Sequence, residues 1–356
     1  MSRLDAVEQL VRTPSVSESE GALADVVEHE LRSIQHLDVT RVGDNVVATT
    51  KGAVTGVLLA AHLDTVPGDV SLVRREGDTL YGLGSCDTKG SVAGLLELAR
   101  TPWAVGVTYV FYAREEIARA RSGLLEVKEV RPDLLETPLA VVAEPTLGAV
   151  EAGCQGSLRA RLTLRGQRAH TSRPFTGRNA IHRLAPLLRD FSDYQPREVH
   201  LEGVTYVEQL QVVKVVGGVA NNVVPDEATL VVNFRFAPDR TSQEAEAWFR
   251  ERVEPMLDQG DDVSIEDLAP AAPPSLVHAD LARLVELTGR PARAKVGWTD
   301  VATFAAWNIP AVNFGAGDPL LAHSAAECLR ESEVNEFVET LTMWLAEGFS
   351  SGEVPK

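Results

Sequence analysis

The sequence predicts an α/β protein whose sheet is interrupted by an inserted α+β unit. Three observations carry that prediction. Short apolar runs at residues 57–61, 106–113 and 139–143 each stop at charged or turn residues, as strands buried on both faces do. Helical periodicity lies around them, which supplies the crossovers a parallel sheet needs. After Gly156 the pattern turns to alternation, and α/β alternation resumes beyond Pro274.

Taken in order, Leu4, Val7, Leu10 and Val11 recur at helical spacing until Pro14. Ser17-x-x-Glu20 has the capping-box pattern and predicts a second helix with Leu23, Val26, Val27 and Leu31 on one face. Strands are expected at 45–50 and 57–61. Gly77-Asp78 marks a turn before Leu80-Tyr81, then come the loop Gly82–Gly90 and a helix over 91–100. The strands at 106–113 and 139–143 follow, ending at Arg114-Glu115-Glu116 and Glu144-Pro145-Thr146.

In the middle, 157–164 reads as a half-exposed strand, 179–191 as helix, and 206–216 and 228–236 as strands. Thr241-x-x-Glu244 caps a helix to about Leu257, and 263–266 is a short strand. This β-α-β-β-α-β order is the split βαβ arrangement of ferredoxin-like domains. The Ala-Pro-rich stretch 268–274 reads as a linker. Beyond it come a helix (278–288), a strand (292–296), a helix after Gly297-Trp298-Thr299-Asp300, a strand (311–314), a glycine-rich loop to His323 and a terminal helix. The expected domains are therefore 1–155 with 269–356, and an inserted 156–268.

Composition excludes several classes. With 34 basic and 51 acidic residues the formal charge is −17, which argues against nucleic acid and anionic membrane partners. No apolar run approaches the ~20 residues of a membrane span. Cys86, Cys154 and Cys328 are an odd number without CxxC spacing and fit free thiols. The charged N-terminus lacks the apolar core of a signal peptide. A cytoplasmic protein is expected.

The chemistry sits where strands end. His62, Asp87, Glu116, Glu144 and His323 fall at strand ends or in loops along one edge of the predicted sheet. Two imidazoles and three carboxylates suit zinc or a similar divalent ion, not a soft thiolate site. Five ligands exceed one catalytic zinc's usual three. If one carboxylate bridges, they serve two ions ~3.5–4 Å apart. Taken alone, each motif keeps an alternative: His62-x-Asp64 also fits a structural hydrogen-bonded pair, Arg114-Glu115-Glu116 a solvated charge cluster, and His170 a surface loop. Glu115 and Glu116, if in extended backbone, point opposite ways, so one can bind metal while the other stays free as a base.

Together the motifs carry a resemblance. His62-Leu63-Asp64-Thr65-Val66-Pro67, Gly82-Leu83-Gly84-Ser85-Cys86-Asp87-Thr88-Lys89-Gly90, Glu115-Glu116, Ala143-Glu144-Pro145-Thr146 and His323…Glu327 resemble, in order and spacing, the di-zinc aminoacylase/carboxypeptidase superfamily. The segments around His170 and from Gly297 to Pro319 are most similar to the actinobacterial branch of the succinyl-diaminopimelate desuccinylases. The resemblance implies a zinc-exopeptidase-like mixed-sheet catalytic domain with an inserted ferredoxin-like lid and dimerisation domain. It implies two Zn2+, with Co2+ able to substitute, and hydrolysis of N-succinyl-LL-2,6-diaminopimelate by a homodimer. The alternative is an acetylornithine or acetyl-lysine deacetylase, or a carboxypeptidase-like relative acting on another small N-acyl amino acid.

By the same resemblance Asp87 bridges the ions, His62 and Glu144 complete one site, and Glu116 and His323 the other. Glu115 is then the general base, Asp64 orients His62, and the Asp87–Thr88 bond is cis. His170 crosses to the partner's site as an oxyanion donor. Asn221 and Arg235 contact substrate, and Gly297 and Thr299 lie at the pocket floor. The chain departs from the family in having Thr88 after the bridging aspartate, Ser324-Ala325-Ala326 after His323, and Cys154 and Glu151 where proteobacterial relatives carry basic residues. Cys86 is expected to pack, not to ligate. These departures leave the acyl group open.

Overall fold

A computed structural model describes residues 2–69 and 72–349. The chain forms two compact units. One comprises Met1–Gly153, Pro274–Arg293 and Thr299–Lys356, the other Cys154–Pro273 and Ala294–Trp298.

In the first unit, seven consecutive strands of the sheet run Leu37–Val42, Asn45–Thr50, Gly106–Tyr112, Thr55–His62, Ala140–Val142, Ala311–Asn313 and Glu151–Ala152. The central four are parallel and the flanking pairs antiparallel, so the sheet is mixed. Burial explains the composition. Val57–Ala61 and the whole of Gly106–Tyr112 are covered by neighbours, hence their largely apolar runs, and the buried Thr108 hydroxyl is paired with that of Thr55. Helices Arg3–Val11, Gly21–Arg32, Gly90–Leu98 and Glu331–Glu347 pack their apolar faces into the same core, with Leu4, Val27, Leu95, Phe337 and Trp344 almost inaccessible.

The second unit is a four-stranded antiparallel sheet in the order Gln209–Gly217, Glu227–Phe236, Gly156–Arg165, Asp262–Ala269. Helices Ala180–Arg183, Ala185–Ser192 and Ser242–Val253 accompany it, and Leu187, Phe191, Phe249 and Val253 join its separate core. This is the expected ferredoxin-like order.

Four local expectations change. Ser17 does not cap the second helix: its N-cap is Glu20, without a side-chain bond, and Ser17 is used elsewhere. The run 206–216 divides into Val204–Val207, paired with Glu198–Leu201 in a hairpin, and Gln209–Gly217. The first strand, Leu37–Val42, escapes periodicity because its face is only partly buried. Arg114-Glu115-Glu116 is not extended backbone. Arg114 lies in the left-handed region (φ 62°) and turns the chain out of the strand, so alternation does not separate the two glutamates.

Candidate metal centre

Parallel strands deliver their carboxyl ends to one edge, where open α/β sheets build sites. His62 ends Thr55–His62, Glu115 and Glu116 follow Gly106–Tyr112, and Glu144 follows Ala140–Val142. Asp87 lies in the irregular turn before helix Gly90–Leu98, and His323 in the loop after Ala311–Asn313. Gly84 makes the first turn possible. Its φ is 80°, and a Cβ there would fall 2.6 Å from Thr65 Cγ2. The Asp87–Thr88 peptide bond is cis.

Asp87 faces two different histidines with its two oxygens. Oδ1 is 3.0 Å from His62 Nε2, and Oδ2 is 3.1 Å from His323 Nε2. Glu144 Oε1 lies 3.9 Å from the same His62 nitrogen, and Glu116 Oε1 2.6 Å from the same His323 nitrogen. Two triads result, His62/Asp87/Glu144 and Asp87/Glu116/His323, each with ligand atoms within 4.8 Å of one another, and they share Asp87. His62, Glu115 and Glu116 form a further such group. These hard oxygen and imidazole donors fit a pair of divalent cations.

The surroundings aim the ligands. His62 Nδ1 donates to the main-chain oxygen of Asp64 at 3.0 Å, with the Asp64 carboxylate at 3.5 Å. A proton fixed on Nδ1 leaves the Nε2 lone pair toward Asp87 and Glu144, as a metal ligand requires. Asp64 does more than orient His62. Its carboxylate accepts the backbone N–H groups of Glu115 (2.9 Å) and Glu116 (3.0 Å) and the Ser17 hydroxyl (2.7 Å). One buried aspartate thus holds both glutamates against the histidine.

Electrostatics follow. Burial pushes the Glu115 carboxyl well above its usual range, and the neighbouring Glu144 charge adds to that. Burial opposes ionisation of Asp64, but the His62 hydrogen bond and charge outweigh it and hold Asp64 below the ordinary value. Hydrogen bonds to the Asp87 and Glu116 carboxylates raise His323 to about 10. Burial pushes the Cys86 thiol up, and its sulfur reaches the Asp318 carbonyl at 3.7 Å, outside the three candidate ligand groups.

Comparison with known proteins decides the family. A Mycobacterium tuberculosis protein carrying the provisional name succinyl-diaminopimelate desuccinylase is 44% identical over 343 residues, covering 94% of this chain and 96% of its own. A Corynebacterium glutamicum succinyl-diaminopimelate desuccinylase is 39% identical over 350 residues, covering 96% and 95%. The chain belongs to the succinyl-diaminopimelate desuccinylase family. Residues 153–261 match the model of the peptidase dimerisation domain. Among solved structures, a Staphylococcus aureus tripeptidase superposes with a TM-score of 0.78 at 20% identity over 97% of both chains. A Bacillus subtilis dinuclear metal-binding peptidase of the M20 family gives 0.69 at 16%, again over 97% of both. At such identity these two speak for the shared fold.

In this desuccinylase relative the remaining expected site residues are divided between the units. His170, Asn221, Arg235 and Gly297 belong to the second, Thr299 to the first. His170 is exposed, and its Nδ1 accepts the Ser172 N–H at 3.1 Å, which puts the neutral ring's proton on Nε2 as an outward donor. Asn221 is exposed in a turn. Arg235, on Glu227–Phe236, is half-buried and forms no ion pair among the described residues; burial lowers its pKa. The Thr299 hydroxyl donates to Asn313 Oδ1 (2.8 Å), whose amide in turn donates to the Glu151 and Gly153 carbonyls. No spacing signature in the sequence marks Ser17, whose hydroxyl reaches the Asp64 carboxylate, or Asn313, whose amide reaches two main-chain carbonyls.

Proposed function

We propose that this chain removes succinate from N-succinyl-LL-2,6-diaminopimelate, giving LL-2,6-diaminopimelate, as a cytoplasmic homodimer. The observation that carries the reading is Asp87, one carboxylate presenting its two oxygens to two histidines that each have a second carboxylate alongside. His62, Asp87 and Glu144 would hold one Zn2+, and Asp87, Glu116 and His323 the other. Bound there, the ions supply a lowered water pKa and a polarised amide carbonyl. Glu115 takes a proton from the attacking water as its oxygen bonds to the amide carbon. It returns that proton to the amine nitrogen as the C–N bond breaks. Its raised pKa suits the donating step, and adjacent cations favour the ionised form needed first. His170 Nε2–H is the donor for the developing oxyanion, and Arg235 matches a substrate carboxylate in charge and fork geometry.

Hydrolysis of N-succinyl-LL-2,6-diaminopimelate, N-acetylornithine and N-acetyl-lysine, compared with Zn2+ or Co2+ added, tests the substrate. The succinyl compound is expected to have the highest kcat/KM. Faster turnover of an acetylated amino acid would transfer the assignment to the deacetylase reading, which the uncharged Cys154 and acidic Glu151 leave open.

A further inference from the structure

Four of the five proposed ligands are anchored to the sheet or the cis-bonded loop beside it. His62 is in a strand. Glu116 is held by its N–H on Asp64, and Glu144 lies two residues beyond a strand. Asp87 precedes Thr88, whose hydroxyl donates to the His62 carbonyl at 2.8 Å. His323 is different. Its side chain is 48% exposed, its backbone sits in the left-handed region (φ 59°), and its ring meets Asp87 and Glu116. Something must fix its loop relative to Asp87.

We infer that Glu327 is a positioning residue that clamps the His323 loop to the Asp87 loop and so sets the affinity of the Asp87/Glu116/His323 cation position. Glu327 is 3% exposed and lies four residues after His323. Its Oε1 accepts the backbone N–H groups of Cys86 (3.2 Å) and Asp87 (3.3 Å), across 241 and 240 residues of sequence. Its main-chain oxygen accepts the Gly82 N–H at 3.1 Å, so side chain and backbone grip both ends of one loop. The strand beginning at Cys328 then pairs with Thr79–Tyr81, which carries the clamp into a small sheet. A buried carboxylate is a strong acceptor for N–H groups. Removing it leaves two buried donors without a partner and frees the loop that carries the least anchored ligand. The His62/Asp87/Glu144 position keeps one ligand in a sheet strand and one two residues beyond another, and is less affected.

The inference rests on the two-cation reading, and the test separates the two. Zn2+ and Co2+ are titrated calorimetrically into chelator-treated wild type, Glu327→Ala, Glu327→Asp and Glu327→Gln, with Co2+ absorption reporting each position and circular dichroism the fold. Wild type is expected to take two ions. Glu327→Ala and Glu327→Asp should bind the first as wild type does and the second about 10- to 100-fold more weakly. Glu327→Gln, which keeps an oxygen acceptor, should recover most of that loss. Glu327→Asp is the milder change and decides the matter should the alanine variant not fold. Wild type that binds no pair of ions overturns the two-cation reading and the clamp with it. Wild type that binds two, with variants matching it at both positions or weakened equally at both, overturns the clamp alone.

Discussion

At the residue scale the site depends on a division of labour between two adjacent glutamates. Asp64 accepts both their backbone N–H groups, so Glu115 and Glu116 are displayed from one turn, yet Glu116 lies against His323 while burial and Glu144 load Glu115 toward protonation. Glu115→Gln keeps shape and loses the proton acceptor. It is expected to lower kcat by about 10²- to 10⁴-fold while metal content by elemental analysis stays that of wild type. Turnover within a factor of a few of wild type would falsify the base assignment. Ser17→Ala is expected to act more mildly. It removes the hydroxyl donor on the Asp64 carboxylate, at a cost of about 1 kcal/mol, and an unchanged melting temperature and kcat would show that the bond is idle. The proposed ligands were legible in the sequence as a set because metal chemistry restricts their type and strand ends restrict their place. Ser17 was not, and Glu327 was legible only as the end of the His323 motif and not for its contact, since a hydroxyl on a carboxylate or a carboxylate on main-chain N–H groups can come from anywhere in the chain.

At the scale of elements, the apolar runs located the buried strands because burial on both faces disfavours polar residues that lack a partner. The partly exposed Leu37–Val42 and the hairpin Glu198–Leu201 with Val204–Val207 escaped for the opposite reason: packing on one side constrains too few positions. The capping signals show the same limit. Thr241-x-x-Glu244 does form a capping box, but Ser17-x-x-Glu20 does not, because Ser17 is drawn to Asp64. In the inserted unit, Asp261 ties a loop to a helix and a strand. It accepts from Arg183 at 2.7 and 2.5 Å and from the N–H groups of Arg165 and Asp258 at 2.8 and 2.7 Å. Burial alone would raise its pKa, but the Arg183 guanidinium and those N–H groups outweigh it and hold it at about 2. A carboxyl depressed on folding stabilises above its unfolded value of about 3.9 and loses that contribution as pH falls toward the folded one. Asp261→Ala should therefore cost about 3 kcal/mol at neutral pH. For Asp261→Asn, the stability gap to wild type should narrow between about pH 4 and pH 2. A gap independent of pH across that window, in denaturant titrations, would show that the charge contributes nothing.

At the scale of the whole molecule, the two units carry different parts of the proposed reaction: the metal ligands and Glu115 lie in one, His170 in the other. His170 cannot be a merely local surface residue if its Nε2–H is the oxyanion donor, and it lies within residues 153–261, the stretch that matches the peptidase dimerisation domain. Whether it serves its own chain or its partner's can be read by complementation. Glu115→Gln and His170→Ala are each expected to be nearly inactive as pure proteins. In a mixed dimer, trans action leaves one site with Glu115 from one chain and His170 from the other, and a second site with neither. Random pairing makes about half the dimers mixed, so activity should return to about one quarter of wild type. Action in cis leaves every site with one lesion, and mixing restores nothing. Because the second site of each mixed dimer is doubly impaired, the recovered rate should scale with the fraction of mixed dimers as the mixing ratio is varied. Activity that stays at the level of the two pure variants across all ratios excludes the crossing histidine while leaving the metal centre untouched.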